Sequence, residues 1–237
     1  MQIITQSINP KLGLFSGIHG DEWGIISSVK KAILTHRAQL PPFVFIPECS
    51  PSAVKRKTRL NENGNDLNRC FIKNPTEKEV QAIISVLTPY TFDFCIDFHE
   101  DDLCPGTYVY DSNNIEGSSI LSSFRNQVKK INMLYTGIVD EADDTVRGEA
   151  HDGYRPSLPP KKDATSNYIY EGIIDYWALI EGKTKRWMTL EVPMGLSPEK
   201  KDAIVDIFFK TFILNNDTAV FIQEVGRNGD FPLCDHP

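Results

Sequence analysis

Residues 12–37 read LGLFSGIHGDEWGIISSVKKAILTHR, an apolar run joined to a periodic one through a short polar turn. The first five residues have the length and composition of a short buried strand. From residue 22 to residue 37, apolar side chains recur at helical spacing, among them Trp23, Ile26 and Ile33. The stretch therefore predicts a strand that leads directly into a helix, with His19 and Glu22 in the turn between them.

The rest of the chain repeats this alternation of apolar runs and periodic segments. Further strands are predicted at residues 42–47, 92–98 and 187–192. Further helices are predicted at residues 76–87, 118–131, 197–214 and in part of 167–180. In the first of these helices Thr76 is the predicted N-cap, and Glu79 completes a capping box.

Two polar segments, at residues 51–74 and 137–163, are predicted to be loops. Strands that alternate with helices favour an α/β fold with a parallel sheet. We therefore expect residues 1–237 to form a single α/β domain. Its central sheet is predicted to be mixed and mostly parallel, with helices on both faces and a mobile loop at 137–165.

Composition excludes several classes of protein. The chain has 237 residues, of which 41% are apolar, and a net charge of −7 without a basic patch, so we expect no nucleic-acid partner. Five scattered cysteines indicate free thiols in a reducing compartment. Neither a signal peptide nor a membrane-spanning run is evident. We therefore expect a cytoplasmic protein with no membrane partner.

Four polar side chains lie at the ends of three predicted strands. His19 and Glu22 follow the first strand, His99 follows the strand at 92–98, and Glu191 is next to the end of the last one. In α/β sheets, ligands bind at the carboxyl ends of strands, so we expect these side chains to meet. Two imidazoles and one carboxylate suit a catalytic zinc site with an open position, and a further glutamate suits a general base.

Each of these signals also has a plain structural interpretation. A single histidine is more often a hydrogen-bonded structural residue than a ligand, and Glu191 could instead form an ion pair with Lys185 or Arg186. Glycines at positions 17 and 20 favour the metal interpretation, because small residues let the backbone approach an ion closely.

The segment between Arg59 and Arg69 is predicted to recognise an anion. The planar fork of an arginine holds a carboxylate through two bonds, and Asn68 beside Arg69 can add another. Arg59, ten residues earlier, could stabilise an oxyanion. A basic surface loop is the plain alternative.

Residues 63–71 follow the pattern Asn-Gly-x-Asp-Leu-Asn-Arg-x-Phe, which resembles the signature of the zinc carboxypeptidase family. The Gly-x-His-Gly-x-Glu run, the later His99 and the Glu-x-Pro strand resemble that family in the same order. These motifs span residues 17–193, which is most of the chain. The resemblance implies a zinc-carboxypeptidase-like (phosphorylase/hydrolase-like) fold and one zinc ion per chain.

The resemblance also implies a role for each matching residue. Zinc would be bound by His19, Glu22 and His99, with Glu191 as the general base that acts on a zinc-activated water. Three roles concern the substrate. Arg59 would polarise the scissile carbonyl, Asn68 and Arg69 would hold a free carboxylate, and Tyr170 would contact the substrate. Asp66 would orient the metal ligands.

The implied activity is hydrolysis of an amide or peptide bond next to a free carboxylate. The first hypothesis is a compact murein-peptide carboxypeptidase or amidase. The alternative is an N-acyl amino acid deacylase of the succinylglutamate desuccinylase/aspartoacylase type, whose members have a further domain after the glutamate, whereas 46 residues follow Glu191 here. A third hypothesis is a zinc-binding relative without catalysis. The expected partner is a small peptide or an N-acyl amino acid.

Overall fold

The computed structural model describes residues 1–140, 147–157 and 172–215. The strands in this part are β1 (Ile4–Thr5), β2 (Leu12–Ser16), β3 (Phe43–Ile46), β4 (Phe94–Asp101), β5 (Tyr108–Asp111), β6 (Gly137–Val139), β7 (Gly148–Ala150), β8 (Tyr154–Pro156) and β9 (Trp187–Pro193). The α-helices are α1 (Gly24–His36), α2 (Pro51–Arg56), α3 (Lys78–Leu87), α4 (Ser119–Val128), α5 (Ile174–Ile180) and α6 (Pro198–Phe208).

Seven strands form the central sheet in the order β1-β3-β2-β4-β9-β5-β8. The pairs β2–β3, β2–β4, β4–β9 and β5–β8 are parallel, whereas β1–β3 and β5–β9 are antiparallel. The prediction of a mixed, mostly parallel α/β sheet is therefore confirmed. Within the described ranges, none of the helices has the length and apolar character needed to cross a bilayer.

Alternation along β4 divides its side chains between two cores. Phe94, Ile96 and Phe98 belong to the core formed with α1, α4 and α6. Cys95 belongs to the second core, where α3 and α5 pack on the opposite face. Successive side chains of a strand point to opposite faces, so Asp97 and His99 lie on the same face as Cys95. Apolar packing covers one half of that face and leaves the carboxyl ends of the strands polar.

The predicted loop at residues 51–74 is wrong over its first part, where helix α2 forms. This helix has six residues, which is too short to give a periodic apolar signal. A distant carboxylate supports its start: Glu79 accepts hydrogen bonds from the Ser50 hydroxyl at 2.7 Å and the Ser52 N–H at 2.9 Å. The orphan N–H groups of a helix start need such acceptors.

The same contact explains why the predicted capping box is wrong. Helix α3 begins at Lys78, so the N-cap is Glu77 and not Thr76, and no side-chain cap hydrogen bond is formed there. Glu79 is engaged at α2, and Glu77 accepts amide hydrogen bonds from three asparagines of the preceding loop. Those asparagines are Asn61, Asn63 and Asn65, at 2.7, 3.0 and 2.6 Å.

The predicted loop at 137–163 is also wrong over its described part. It contains the hairpin of β6 and β7 and then β8, which adds an edge strand to the central sheet. These strands have three residues each, so their alternation is too short to recognise. The mobility predicted for 137–165 and the single-domain assignment of 1–237 stay predictions.

The two glycines near His19 have a packing role, and the approach of their backbone to an ion stays a prediction. Gly17 adopts φ +64°, which favours glycine. A Cβ atom on Gly20 would lie 2.0 Å from the backbone carbon of Ala53 in α2. The turn after β2 therefore packs directly on the backbone of α2.

Candidate active site

The three predicted ligands meet at the carboxyl ends of β2 and β4. His19 and Glu22 lie in the turn between β2 and α1, and His99 lies in β4. These strands are parallel neighbours, with Ser16 opposite Phe98, so residues 80 positions apart in sequence become adjacent. All three residues are buried, each with 4–5% of its surface exposed.

The carboxylate of Glu22 lies between the two imidazoles. The Nδ1 atom of His19 is 2.5 Å from Glu22 Oε1, and the Nδ1 atom of His99 is 2.8 Å from Glu22 Oε2. Within the described ranges, these three residues are the one group whose donor atoms, one from each residue, lie close enough to hold a metal ion, all within 4.8 Å of one another.

Each imidazole also contacts a second carboxylate through its other ring nitrogen. Asp66 Oδ1 lies 3.2 Å from the Nε2 atom of His19, and Asp97 Oδ2 lies 3.0 Å from the Nε2 atom of His99. Carboxylates placed in this way orient metal-binding histidines and leave the other ring nitrogen as the ligand. The Nδ1 atoms are thereby directed at the cluster.

Mutual attraction sets the charge state of the cluster. Although burial opposes its ionisation, the neighbouring His19 and His99 hold the pKa of the Glu22 carboxyl well below its ordinary value. Although burial disfavours an imidazolium, the carboxylates of Glu22 and Asp97 raise the pKa of His99 well above its ordinary value. The site therefore favours a concentrated positive charge beside Glu22.

The donor set fits a divalent metal ion. Two imidazole nitrogens and one carboxylate, buried and oriented by outer carboxylates, match the ligand types of a catalytic zinc site with a vacant position. The Glu22 carboxylate contacts both imidazoles, so the three donor groups already lie next to one another.

Glu191 is adjacent to the cluster, directly opposite His99 in the β4–β9 pair. The alternative ion pairs are not formed, because Lys185 pairs with Asp93 and Arg186 with Asp111. Burial raises the pKa of Glu191 well above its ordinary value, and the nearby Glu22 adds to this rise while His99 opposes it.

Asp66 links Arg59 to the cluster. Its Oδ2 accepts a hydrogen bond from Arg59 Nε at 3.1 Å and lies 3.0 Å from a terminal nitrogen of the same guanidinium, while Oδ1 contacts His19. A terminal nitrogen of Arg59 lies 3.7 Å from Glu22 Oε1. The Arg59 side chain remains about half exposed, at 47%, so a substrate can reach it.

Asn68 and Arg69 line the same cavity as the cluster. The side-chain oxygen of Asn68 accepts the Ile174 N–H at 3.1 Å, which leaves its amide hydrogens as the groups that can meet a substrate. Arg69 donates to the Asn68 carbonyl at 2.8 Å. The predicted substrate residue Tyr170 lies outside the described residues.

The cavity, of about 710 Å³, extends down one face of the sheet beyond the predicted residues. Tyr108 is opposite Glu191 and Tyr110 is opposite Thr189 in the β5–β9 pair, so both tyrosines lie on the face of the general-base candidate. The alternation of residues 108–110, with Val109 in the opposite core, is the sequence signal that would have located them. The other lining residues missed by sequence reasoning include Tyr135, Asp140 and Asp175.

Solved structures identify the class of fold. A candidate metallopeptidase from Shewanella amazonensis SB2B aligns with a TM-score of 0.62 at 18% identity, covering 90% of this chain and 82% of that one. A metallo-carboxypeptidase from Burkholderia cenocepacia gives 0.56 at 14% identity, covering 93% and 58%. A succinylglutamate desuccinylase from Silicibacter sp. TM1040 gives 0.53 at 18% identity, covering 90% and 60%. The fold is therefore that of the metallo-carboxypeptidase-like hydrolases.

The sequence assigns the chain to one family within this class of fold. A family model of the succinylglutamate desuccinylase/aspartoacylase catalytic domain matches residues 8–148. Because this range is more than half of the chain, the protein belongs to that family. The match includes His19, Glu22, Arg59 and His99, whereas Glu191 lies beyond it. No curated protein matches the chain.

Proposed function

We propose that the protein is a zinc-dependent hydrolase that cleaves an amide or peptide bond next to a free carboxylate. The observation that carries this proposal is the presence, in one cavity, of a three-ligand cluster, a glutamate beside it and two arginines. Each component by itself is common in proteins. Their arrangement supplies groups for activating water, stabilising an oxyanion and binding an anionic substrate.

His19, Glu22 and His99 would hold the metal, and zinc suits this nitrogen-rich donor set. When bound, zinc lowers the pKa of water and polarises a carbonyl oxygen. Glu191 would accept the proton from the attacking water and then deliver it to the leaving amine. Its place opposite His99 puts it at the edge of the cluster, where both transfers would occur.

Arg59 would donate hydrogen bonds to the carbonyl oxygen as negative charge develops on it. Asp66 holds one side of the guanidinium, which leaves the nitrogen nearest Glu22 directed toward the cluster. A donor that is already oriented loses little free energy to reorganisation when the charge appears.

Arg69 and the Asn68 amide would hold the carboxylate of the substrate. Both line the cavity, and Asn68 is fixed through its bond to Ile174. A substrate anchored at one end presents its scissile bond in a limited set of orientations, which accelerates a reaction by lowering its entropic cost. The anchor also accounts for a requirement for a free carboxylate.

Two substrate classes fit this chemistry. Membership of the succinylglutamate desuccinylase/aspartoacylase family favours an N-acyl amino acid. The cavity of about 710 Å³ also has room for a short peptide, which favours the carboxypeptidase activity. The Glu191 side chain in the cavity favours either activity over a zinc-binding protein without catalysis. The expected absence of nucleic-acid and membrane partners and the cytoplasmic location remain predictions.

Metal analysis tests the site independently of the substrate. Purified protein loaded with Zn²⁺ and then dialysed is expected to retain about one zinc ion per chain, and the His19→Ala variant much less. His36→Ala is the matched control, because His36 is a buried histidine that pairs with Asp206 between α1 and α6. Less than stoichiometric zinc in the wild type, or equal loss in both variants, would refute the site.

Substrate pairs test the reaction. N-acyl amino acids, short peptides and muropeptides would each be supplied with a free carboxylate and as the corresponding amide. Hydrolysis by the zinc-loaded enzyme is expected for members of one class, and only in the carboxylate form. Equal rates on the two forms would contradict the proposed anchor.

A further inference from the structure

A buried ion pair lies directly behind the three-ligand cluster. Glu100 follows His99 in β4 and points to the opposite face of the sheet, where its carboxylate contacts the ammonium of Lys201 in α6. The side chains are 2% and 9% exposed. Removing two charges from water is costly unless they pair and form further hydrogen bonds, so their other contacts matter.

Glu100 contacts the turn that carries Glu22 in two ways. Its backbone N–H donates to Glu22 Oε2 at 3.2 Å, and its carboxylate accepts the Gly24 N–H at 2.9 Å. One residue therefore contacts both the ligand carboxylate and the first residue of α1. Together these bonds limit the positions available to the Glu22 side chain.

Lys201, the ion-pair partner of Glu100, forms a second contact. It also donates to the Met194 carbonyl at 2.8 Å, in the turn that follows β9. A Cβ atom on Gly24 would lie 2.8 and 2.9 Å from the Glu100 oxygens and 3.1 Å from the Lys201 nitrogen. The start of α1 is thus packed tightly against the ion pair, and a movement of the pair would displace that helix start.

We propose that Glu100, with Lys201 as its counter-ion, is a positioning residue that holds Glu22 in its ligand orientation and thereby sets the affinity of the site for metal. The inference rests on the metal site of the proposed function. It does not depend on which substrate is cleaved. Residues behind the direct ligands commonly change metal affinity by about 10- to 100-fold when substituted.

The test measures Zn²⁺ affinity by chelator competition in full-length variants. E100A/K201M removes the acceptor for Gly24 without leaving an unpaired buried charge, and is expected to weaken Zn²⁺ binding at least about 10-fold. E100Q/K201M keeps an acceptor at the same place and is expected to recover most of that loss. Glu100→Asp keeps the charge but withdraws the carboxylate, so it serves as the test variant if E100A/K201M does not fold.

Asp202→Asn is the matched control for a purely structural role. Asp202 joins the same two helices, α1 and α6, through Ser28 and Lys31, away from the cluster. Its loss is expected to lower the melting temperature of the metal-free protein while Zn²⁺ affinity stays within about twofold of wild type. The visible spectrum of bound Co²⁺, which reports ligand geometry, is expected to change in E100A/K201M and not in Asp202→Asn.

Zn²⁺ affinity and the Co²⁺ spectrum together distinguish three outcomes. Zn²⁺ affinity within twofold of wild type in E100A/K201M or Glu100→Asp, with an unchanged Co²⁺ spectrum, would overturn the positioning role while leaving the metal site intact. Weakened affinity that E100Q/K201M restores would support it. A wild-type protein that binds no Zn²⁺ would overturn the metal site and this inference with it.

Discussion

Asp175 is a cavity-lining carboxylate whose ionisation the fold opposes. Its Oδ1 accepts the Tyr176 N–H at 2.8 Å. Burial and the nearby carboxylate of Asp97 raise the pKa of Asp175 from its ordinary 3.8 to about 7. We therefore predict that Asp175→Asn stabilises the metal-free protein, because asparagine keeps the acceptor and removes the buried charge.

The sign and size of this effect follow from the two pKa values. A group whose pKa is higher in the folded state favours folding below its unfolded pKa, and this contribution is lost as pH rises through the folded pKa. The contribution of Asp175 to the free energy of unfolding is therefore lost between about pH 4 and pH 7. The gap between the folded and unfolded pKa of Asp175 corresponds to about 4 kcal/mol of unfolding free energy, of which about 2 kcal/mol is lost between pH 5.5 and pH 8.

Urea unfolding at pH 5.5 and pH 8, with a metal chelator present, measures this difference. The gain in unfolding free energy from Asp175→Asn is expected to be about 2 kcal/mol larger at pH 8. Asp202→Asn is the control, because the Lys31 and Ser28 hydrogen bonds hold the pKa of Asp202 below its ordinary value despite partial burial. Its effect should be the same at both pH values. A gain from Asp175→Asn that is absent at pH 8, or equal at the two pH values, would refute the reasoning.

Three further substitutions test the site and the fold. Glu191→Gln should retain zinc and lower kcat at least about 100-fold; full activity would show that the base is another group. Arg69→Ala should raise KM about 10-fold or more for substrates with a free carboxylate and much less for amidated ones, so an equal rise for both would contradict the anchor. Arg186→Met leaves Asp111 buried and unpaired, since the two bonds at 2.9 and 2.6 Å are lost. It should cost about 3–5 kcal/mol in urea unfolding, and a loss below 1 kcal/mol would refute that estimate.

Local sequence patterns were sufficient for the main strands and helices. Residues 12–16 and 24–36 form the strand and helix that their apolar spacing predicts. The candidate ligands were also recognisable, because His19 and Glu22 lie in a strand-to-helix turn and His99 at the end of an apolar run. For Arg59 and Arg69, the chemistry of the guanidinium group predicted anion binding, and the resemblance to a family added the specific roles of each residue.

Side-chain partners were not predictable from local patterns. Glu79 could cap its own helix, yet it accepts hydrogen bonds from Ser50 and Ser52 of α2. A short strand such as β8 has too few residues for alternation to stand out, and its pairing with β5, a strand distant in sequence, stabilises it. In both cases a contact distant in sequence outweighs a weak local preference.

The sequence by itself determined the strand–turn–helix that presents His19 and Glu22 and the chemical types of the candidate ligands, because both depend on neighbouring residues. Only the tertiary structure decided that β2 and β4 are neighbours, that Asp66 and Asp97 hold the two imidazoles, and that Glu100 and Lys201 support Glu22 from behind. Sheet order is a long-range property, and it decides which buried charges can reach one another. The metal site therefore depends on strand pairing as much as on the motifs that carry its ligands.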